Sequence, residues 1–297
     1  MAGDLLIRNV RPMGGPATDI LIRSGRIAAM GADGIEASIP VLDGAGELLL
    51  PGLVEAHTHL DKTMWGMPWK PHAAGPRLID KIETERRQRR ELDIEPERQS
   101  GRQALQSLRM GSTHIRTHVD VDTEVGLSGI EGVMRMRERY RDRVHVEIVA
   151  FPQWGLLVRP GTLELMREAM RLGAEVVGGL DPNAIDRDPK GHLDAIFGLA
   201  QEFGRPVDIH LHEPAELGGF AMELIIERTR ALGMQGRVVM SHAFCLGMTD
   251  RDYARSLIDQ LARERIAVMT TGAPSRPVPP RRECAEAGPG VCAGSDG

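Results

Sequence analysis

The chain has 297 residues, of which 41% are hydrophobic and 27% charged, with a formal net charge of −5. That is an ordinary globular composition, long enough to bury a sizeable core in one large domain or two modest ones. The acidic balance argues against a nucleic-acid partner, which needs concentrated Lys and Arg. No apolar run approaches the roughly 20 residues of a membrane span, and the N-terminus has no basic stretch leading into an apolar one.

Residues 1–50 read as a small β-layer. The runs 5–10 and 20–30 are strand-like, Ile22 to Ile27 forms a hairpin with Ser24-Gly25 at its turn, and a short run at 47–50 ends at Pro51-Gly52. From Leu53 the pattern alternates. Apolar runs suited to buried strands occupy 53–57, 113–121, 144–151, 176–180, 207–211, 238–241, 267–271 and 291–293. Stretches of helical period lie between most of them, at 78–108, 130–140, 163–172, 193–203, 222–232 and 253–265. Eight strands alternating with helices predict an α/β fold, a (β/α)8 TIM-type barrel over 51–297. A doubly wound open sheet is the alternative, but no Gly-rich phosphate loop follows any strand. The segment 277–297, rich in Pro, Gly and Arg, is a poor candidate for a helix joining the seventh and eighth strands.

Within 78–108, Arg86-Arg87-Gln88-Arg89-Arg90 is flanked by Glu83, Glu85, Glu91 and Asp93, which reads as a solvated helix face. Cys245, Cys284 and Cys292 have neither disulfide-framework nor zinc-finger spacing, so reduced thiols in a cytoplasm are expected.

The active sites of such barrels lie at the C-terminal ends of the strands. Here those ends carry His57-Thr58-His59, His118-Val119-Asp120, Pro152-Gln153-Trp154, His210-Leu211-His212-Glu213, His242 and Ser295-Asp296, so six of the ten histidines fall there. His57 and His59, two apart on a strand, face the same side and can converge on one cation. Alone, H-x-H is equally a packing or surface pair; an apolar strand leading into it places both rings at the barrel mouth. His210 is either a third nitrogen ligand or a hydrogen-bonded core histidine. Asp296, in Ser-Asp-Gly, is an ordinary turn residue until the company of three histidines makes it a carboxylate ligand. Imidazoles with a carboxylate suit Zn2+ or Fe2+ and leave a position for water. Glu213 is either an exposed loop residue or the carboxylate that relays a proton from that water to a leaving group. His242 faces the same mouth, as a group that polarises the water, a fourth ligand or a structural residue.

Leu50-Pro51-Gly52-Leu53-Val54-Glu55-Ala56-His57-Thr58-His59-Leu60-Asp61-Lys62-Thr63, Thr117-His118-Val119-Asp120, Phe151-Pro152-Gln153, His210-x-x-Glu213, Ser241-His242 and Ser295-Asp296 occur in one order from residue 50 to the end. In these stretches the chain resembles the amidohydrolase superfamily and, within it, the cytosine-deaminase-like branch. The resemblance implies a metal-dependent hydrolase with a barrel and a small β-sandwich built from both chain ends. It implies one divalent ion, Zn2+ or Fe2+, held by His57, His59, His210 and Asp296. Glu213 would shuttle protons, and His242 with Asp296 would orient and activate the water. Gln153 would hydrogen-bond an amide-like edge of the ring, a surface or capping role being its alternative. Two-metal relatives use a lysine after strand four; Val177-Gly178-Gly179-Leu180-Asp181 has none, which favours a single metal. The H-x-E and P-C-x-x-C signature of the other nucleobase-deaminase fold is absent.

The expected activity is therefore deamination of a small nitrogen heterocycle by metal-activated water. Release of an alkylamine from a triazine-type ring is the second reading, and a non-catalytic assembly or binding protein the third. A homo-oligomer is expected from the family. Three features depart from a cytosine deaminase. Lys62 to Trp69 is rich in Trp and Met, either lining an apolar pocket or simply packing. Lys62 itself is either an anion-binding group or solvated, and His212 beside Glu213 is unusual. The chain also stops one residue after Asp296, where members of that branch continue, so it reads as a C-terminally truncated version with an incomplete β-sandwich.

Overall fold

The computed structural model describes residues 3–31, 39–71, 74–75, 77–272 and 277–296. The chain divides into two compact units, Met1–Gly52 and Leu53–Gly297.

In the first unit, β1 (Leu5–Pro12), β2 (Thr18–Arg23) and β3 (Arg26–Met30) pair antiparallel in sequence, while β4 (Val41–Asp43) and β5 (Leu48–Leu49) run parallel to β1. Ser24 and Gly25 turn the β2–β3 hairpin with φ of 50° and 73°, the left-handed pair that matches strand twist in a two-residue loop. Leu6, Val10, Ile20 and Leu21 are buried.

The second unit is an eight-stranded parallel sheet: β6 (Leu53–Thr58), β7 (Ser112–Asp120), β8 (His145–Phe151), β9 (Val176–Leu180), β10 (Val207–Leu211), β11 (Val238–His242), β12 (Ala267–Thr270) and β13 (Val291–Ala293). Strand order follows the sequence, without the reversal that defines a doubly wound sheet. Beyond the last rung, the Ser295 N–H donates to Glu55 Oε1 (2.8 Å) and the Asp296 N–H to the His57 carbonyl (3.0 Å), so the end of β13 is fastened to β6. The sheet is a nearly closed barrel, as the alternation predicts.

Among the described residues, eight α-helices accompany the strands: α1 (Leu78–Glu91), α2 (Pro96–Arg109), α3 (Ser128–Arg139), α4 (Thr162–Leu172), α5 (Pro189–Phe203), α6 (Ala215–Ala231), α7 (Arg251–Arg263) and α8 (Arg281–Ala287). In α7 the buried residues Ala254, Leu257, Ile258 and Leu261 repeat at helical spacing, and the Asp250 side chain accepts from the N–H groups of Asp252 and Tyr253 to start the helix. No helix among the described residues is long and apolar enough to cross a membrane.

Two expectations are corrected. The single helix over 78–108 is two, because Pro96 sits at the first position of α2, and proline forces the preceding residue out of the helical region; Glu95 has φ −94° and ψ 113°. The Pro- and Arg-rich tail does hold a helix, α8, which buries Cys284 and ends on Gly288 at φ 99°.

Candidate active site

The strand ends bring five imidazoles together. The His57 ring centroid lies 4.1 Å from His118, 4.5 Å from His210, 4.8 Å from His242 and 5.4 Å from His59. His59 Nε2 is 3.4 Å from His210 Nε2, and Asp296 Oδ1 is 3.4 Å from His57 Nε2 and 3.9 Å from His59 Nε2. The four residues expected as metal ligands therefore converge. His57, His59 and Asp296 place ligand atoms within 4.8 Å of one another, as do His57, His210 and His242.

The protonation states suit a cation. Burial, with the charges of Lys62 and neighbouring histidines, pushes His59 well below its ordinary pKa; burial and the histidines around it do the same to His210. Both are neutral at physiological pH, which is the ligating form. Asp296 is held below the usual carboxylate range although burial works against it, by the His57 imidazole 3.4 Å away. Buried His57 Nε2, which faces Asp296, makes no hydrogen bond among the described residues, as expected of a group awaiting another partner. Three converging imidazoles and a carboxylate fit a divalent ion of the zinc or iron type.

His57 is oriented from beneath. The Ser241 hydroxyl donates to Asp208 Oδ1 (2.6 Å) and so accepts from His57 Nδ1 (3.1 Å), leaving the His57 Nε2 lone pair on the side of Asp296. Asp208 also accepts from Arg116 Nη1 (3.0 Å) and lies 3.5 Å from His118 Nε2, while burial lowers His118 to about 4. None of Asp208, Ser241 or His118 carries an assigned role in the sequence reading. The available signal was strand alternation, since Asp208 shares a face with His210 and Arg116 with His118.

Glu213 is 2% exposed, and its carboxylate is bound to the loop after β9. Oε1 accepts the N–H groups of Asn183 (2.7 Å) and Ala184 (2.8 Å), and Oε2 accepts Asn183 Nδ2 (2.6 Å). Burial raises its pKa, opposed by those donors. The exposed-loop alternative is thus excluded. His242 is buried with φ 71°, a left-handed conformation costly for a side-chain-bearing residue and typical of functional positions. Gln153 lines a cavity of about 300 Å3 together with His59, His210, His212 and Asp296; Lys62, Thr63, Lys81, Glu85, Met64, Ile82 and Leu180 complete its wall.

The solvated reading is corrected for Lys62 and, within the arginine run, for Arg86 and Arg89, whereas Arg87 and Arg90 are exposed as expected. The Lys62 side chain is 8% exposed, with Nζ 3.0 Å from Glu85 and 3.2 Å from Asp120. Burial disfavours its charge, but those carboxylates and Asp61 outweigh it and hold its pKa above the lysine range. Arg89 is 9% exposed and bridges Asp61 (3.1 Å) and Asp120 (2.9 Å). Burial and Asp120 raise Asp61 to about 6 against the pull of Arg89 and Lys62. Arg86 pairs with Glu124 and lies 4.6 Å over the Trp154 ring. Helix α1 is thereby fastened beside the cavity that its Lys81, Ile82 and Glu85 line. Of the Trp- and Met-rich loop, Met64 reaches the cavity, whereas Trp65 and Trp69 are 53% and 84% exposed. Arg89→Met should leave two buried carboxylates sharing Lys62 alone and cost about 3–5 kcal/mol. Urea denaturation would show this, and a loss under about 1 kcal/mol would remove the bridge as a support.

The amidohydrolase family model (Amidohydro_3) matches residues 103–297. The chain is 34% identical over 257 residues to the uncharacterized protein YahJ of Escherichia coli K12, covering 84% of this chain and 55% of that protein. It is 29% identical over 305 residues to the N-isopropylammelide isopropyl amidohydrolase of Pseudomonas sp. strain ADP, covering 99% of this chain and 74% of that one. The crystal structure of N-isopropylammelide isopropylaminohydrolase from Burkholderia multivorans superposes with a TM-score of 0.95 at 46% identity, covering all of this chain and 75% of the other. Klebsiella pneumoniae 5-methylcytosine deaminase liganded with 5-fluorocytosine follows at 0.79 and 28%, covering 98% of this chain and 74% of that one. The chain thus spans about half the length of YahJ and three quarters of the others. Family model, barrel and histidine cluster agree: the chain belongs to the amidohydrolase family.

Proposed function

We propose that the protein is a metal-dependent hydrolase that cleaves an exocyclic C–N bond on a small nitrogen heterocycle. The observation that carries this is the convergence of His57, His59, His210 and Asp296 at a cavity also lined by Gln153. Those four residues would hold one divalent ion, Zn2+ or Fe2+. When bound, such an ion lowers the pKa of water towards about 7 and so makes a nucleophile available at neutral pH.

The remaining work falls to the chain. Gln153 offers an amide that pairs with an amide-like ring edge. Glu213 moves the proton from water to the departing nitrogen: Oε2 accepts one protein hydrogen bond, from Asn183, and keeps a lone pair for that proton. His242 and Asp296 orient the water. The thiols take no part as nucleophiles, since burial pushes Cys245 up to about 12 and Cys292 to about 11.

Between ammonia and an alkylamine as product, we favour the alkylamine. The Burkholderia relative, 46% identical over this whole chain, is an N-isopropylammelide hydrolase, and Met64, Ile82 and Leu180 give the cavity an apolar side suited to an alkyl group. A homo-oligomer in the cytoplasm, with the three thiols reduced, completes the proposal.

The test is elemental analysis of purified protein, followed by amine detection with N-isopropylammelide and cytosine. About one equivalent of zinc or iron, lost in His57→Ala, and isopropylamine release are expected. Ammonia from cytosine alone would reverse the order of the two enzymatic readings. Protein that takes up neither ion when both are supplied would overturn the hydrolase reading in favour of a binding role.

A further inference from the structure

Asp181 and His212 form a pair at the cavity wall to which the chemistry above gives no part. His212 lines the cavity beside Gln153 and Asp296, and its ring is stacked on His242 at 4.2 Å and 27°. Asp181, 1% exposed, follows β9 with φ 32°. Its Oδ1 accepts the backbone N–H groups of His212 (2.6 Å) and Glu213 (3.2 Å), and its Oδ2 lies 2.8 Å from His212 Nδ1. A carboxylate oxygen accepts hydrogen bonds, so this geometry selects the tautomer with the proton on Nδ1, in which the lone pair lies on Nε2.

We propose that His212 is a substrate-binding residue whose Nε2 accepts a hydrogen bond from an N–H of the heterocycle, and that Asp181 is the positioning residue that sets this polarity. The inference rests on the cavity being the site of a nitrogen heterocycle, and it names the class: cyclic amides and ureas that keep an N–H beside a carbonyl. Gln153, whose amide both donates and accepts, complements an acceptor at His212, so that together they read a –CO–NH– edge. A ring alkylated at that nitrogen leaves the Nε2 lone pair unmatched, and sites built around a polar contact reject analogues that lack it.

Asp181→Asn separates polarity from shape. The two backbone N–H donors hold the amide oxygen at the Oδ1 position, so the NH2 must face His212 Nδ1. The imidazole then accepts at Nδ1 and carries its proton on Nε2, and the cavity meets a donor where it had an acceptor.

The experiment uses zinc-loaded protein, 15N-histidine spectra and calorimetric binding of cyanuric acid, the ring left when an ammelide amine has been replaced by oxygen. The wild type should show His212 protonated on Nδ1, and Asp181→Asn on Nε2. Affinity for cyanuric acid should fall about tenfold in Asp181→Asn. The same loss is expected in His212→Phe, which keeps a stacked ring and removes the lone pair. A wild-type proton on Nε2 overturns the inference. So does wild-type binding of cyanuric acid that neither variant weakens. Failure of the wild type to bind cyanuric acid, cytosine or N-isopropylammelide overturns instead the heterocycle reading on which the inference stands.

Discussion

Glu213→Gln is expected to lower kcat by about a thousandfold while metal content and melting temperature stay near those of the wild type. General acid–base groups typically contribute about 10²–10⁴ in rate, and Glu213 is a buried carboxylate three residues after the proposed ligand His210. The variant should fold because the binding of this side chain is mostly acceptor-based. A glutamine oxygen can still take the N–H groups of Asn183 and Ala184, and the Asn183 side-chain amide can rotate to present its own oxygen to the new NH2. What the glutamine cannot do is accept a proton near neutral pH. Steady-state rates beside metal analysis decide the matter. A variant within about threefold of the wild-type kcat would assign the proton transfer elsewhere, with His242 the first alternative.

Local spacing made much of this site legible. His57-Thr58-His59 follows an apolar run, so period-two geometry alone sends both rings to one side, and His210-x-x-Glu213 ends another such run. The eight strands stood out because fully buried parallel strands are largely apolar stretches, as Val176–Leu180 is. What stayed hidden depends on partners distant in the chain. Ser241 lies 184 residues from His57 and Asp208 33 residues from Ser241, so no window of sequence displays the contacts that orient His57. The same holds for Lys62 and Arg89. Charged residues between charged neighbours read as solvated, and only the approach of β6, β7 and α1 turns them into a buried network with Asp61 and Asp120. Helix α8 was missed because its seven residues bury only Cys284, too little for a periodic signal.

Two kinds of support hold the candidate ligands, and they differ in how they fail. His57 and His210 stand on barrel strands, and Ser241 fixes the tautomer of the first. A substitution there changes one side chain and leaves the backbone in place. Asp296 has no strand of its own. It follows β13 in a left-handed conformation, φ 67°, with a side chain 45% exposed, and its position depends on how closely β13 lies against β6.

Gly294 is where that dependence can be tested. A Cβ at this position would lie 2.5 Å from His57 Cβ, 2.7 Å from the His57 carbonyl oxygen and 2.8 Å from its nitrogen. None of these is the end of a flexible side chain, so in Gly294→Ala the backbone after β13 must move away from β6. The hydrogen bonds from the Ser295 N–H to Glu55 and from the Asp296 N–H to the His57 carbonyl lie one and two residues further on and would lengthen with it. The carboxylate would then leave the Nε2 atoms of His57 and His59, and with it the anionic ligand of the proposed ion. We expect about 1–3 kcal/mol of destabilisation, as for other overpacked sites. Zinc affinity should fall about a hundredfold, at the upper end of what disturbing the residues that support a metal ligand costs. Chelator competition on the intact chain measures the second quantity and denaturant titration the first. Asp296→Asn is the control, because it weakens the ligand with β13 undisturbed and should lose affinity with little loss of stability. If Gly294→Ala binds zinc as the wild type does while Asp296→Asn does not, the junction of β13 with β6 is not what places the carboxylate. If both bind as the wild type does, Asp296 is not a ligand, and the site must be rebuilt from the imidazoles of His57, His210 and His242.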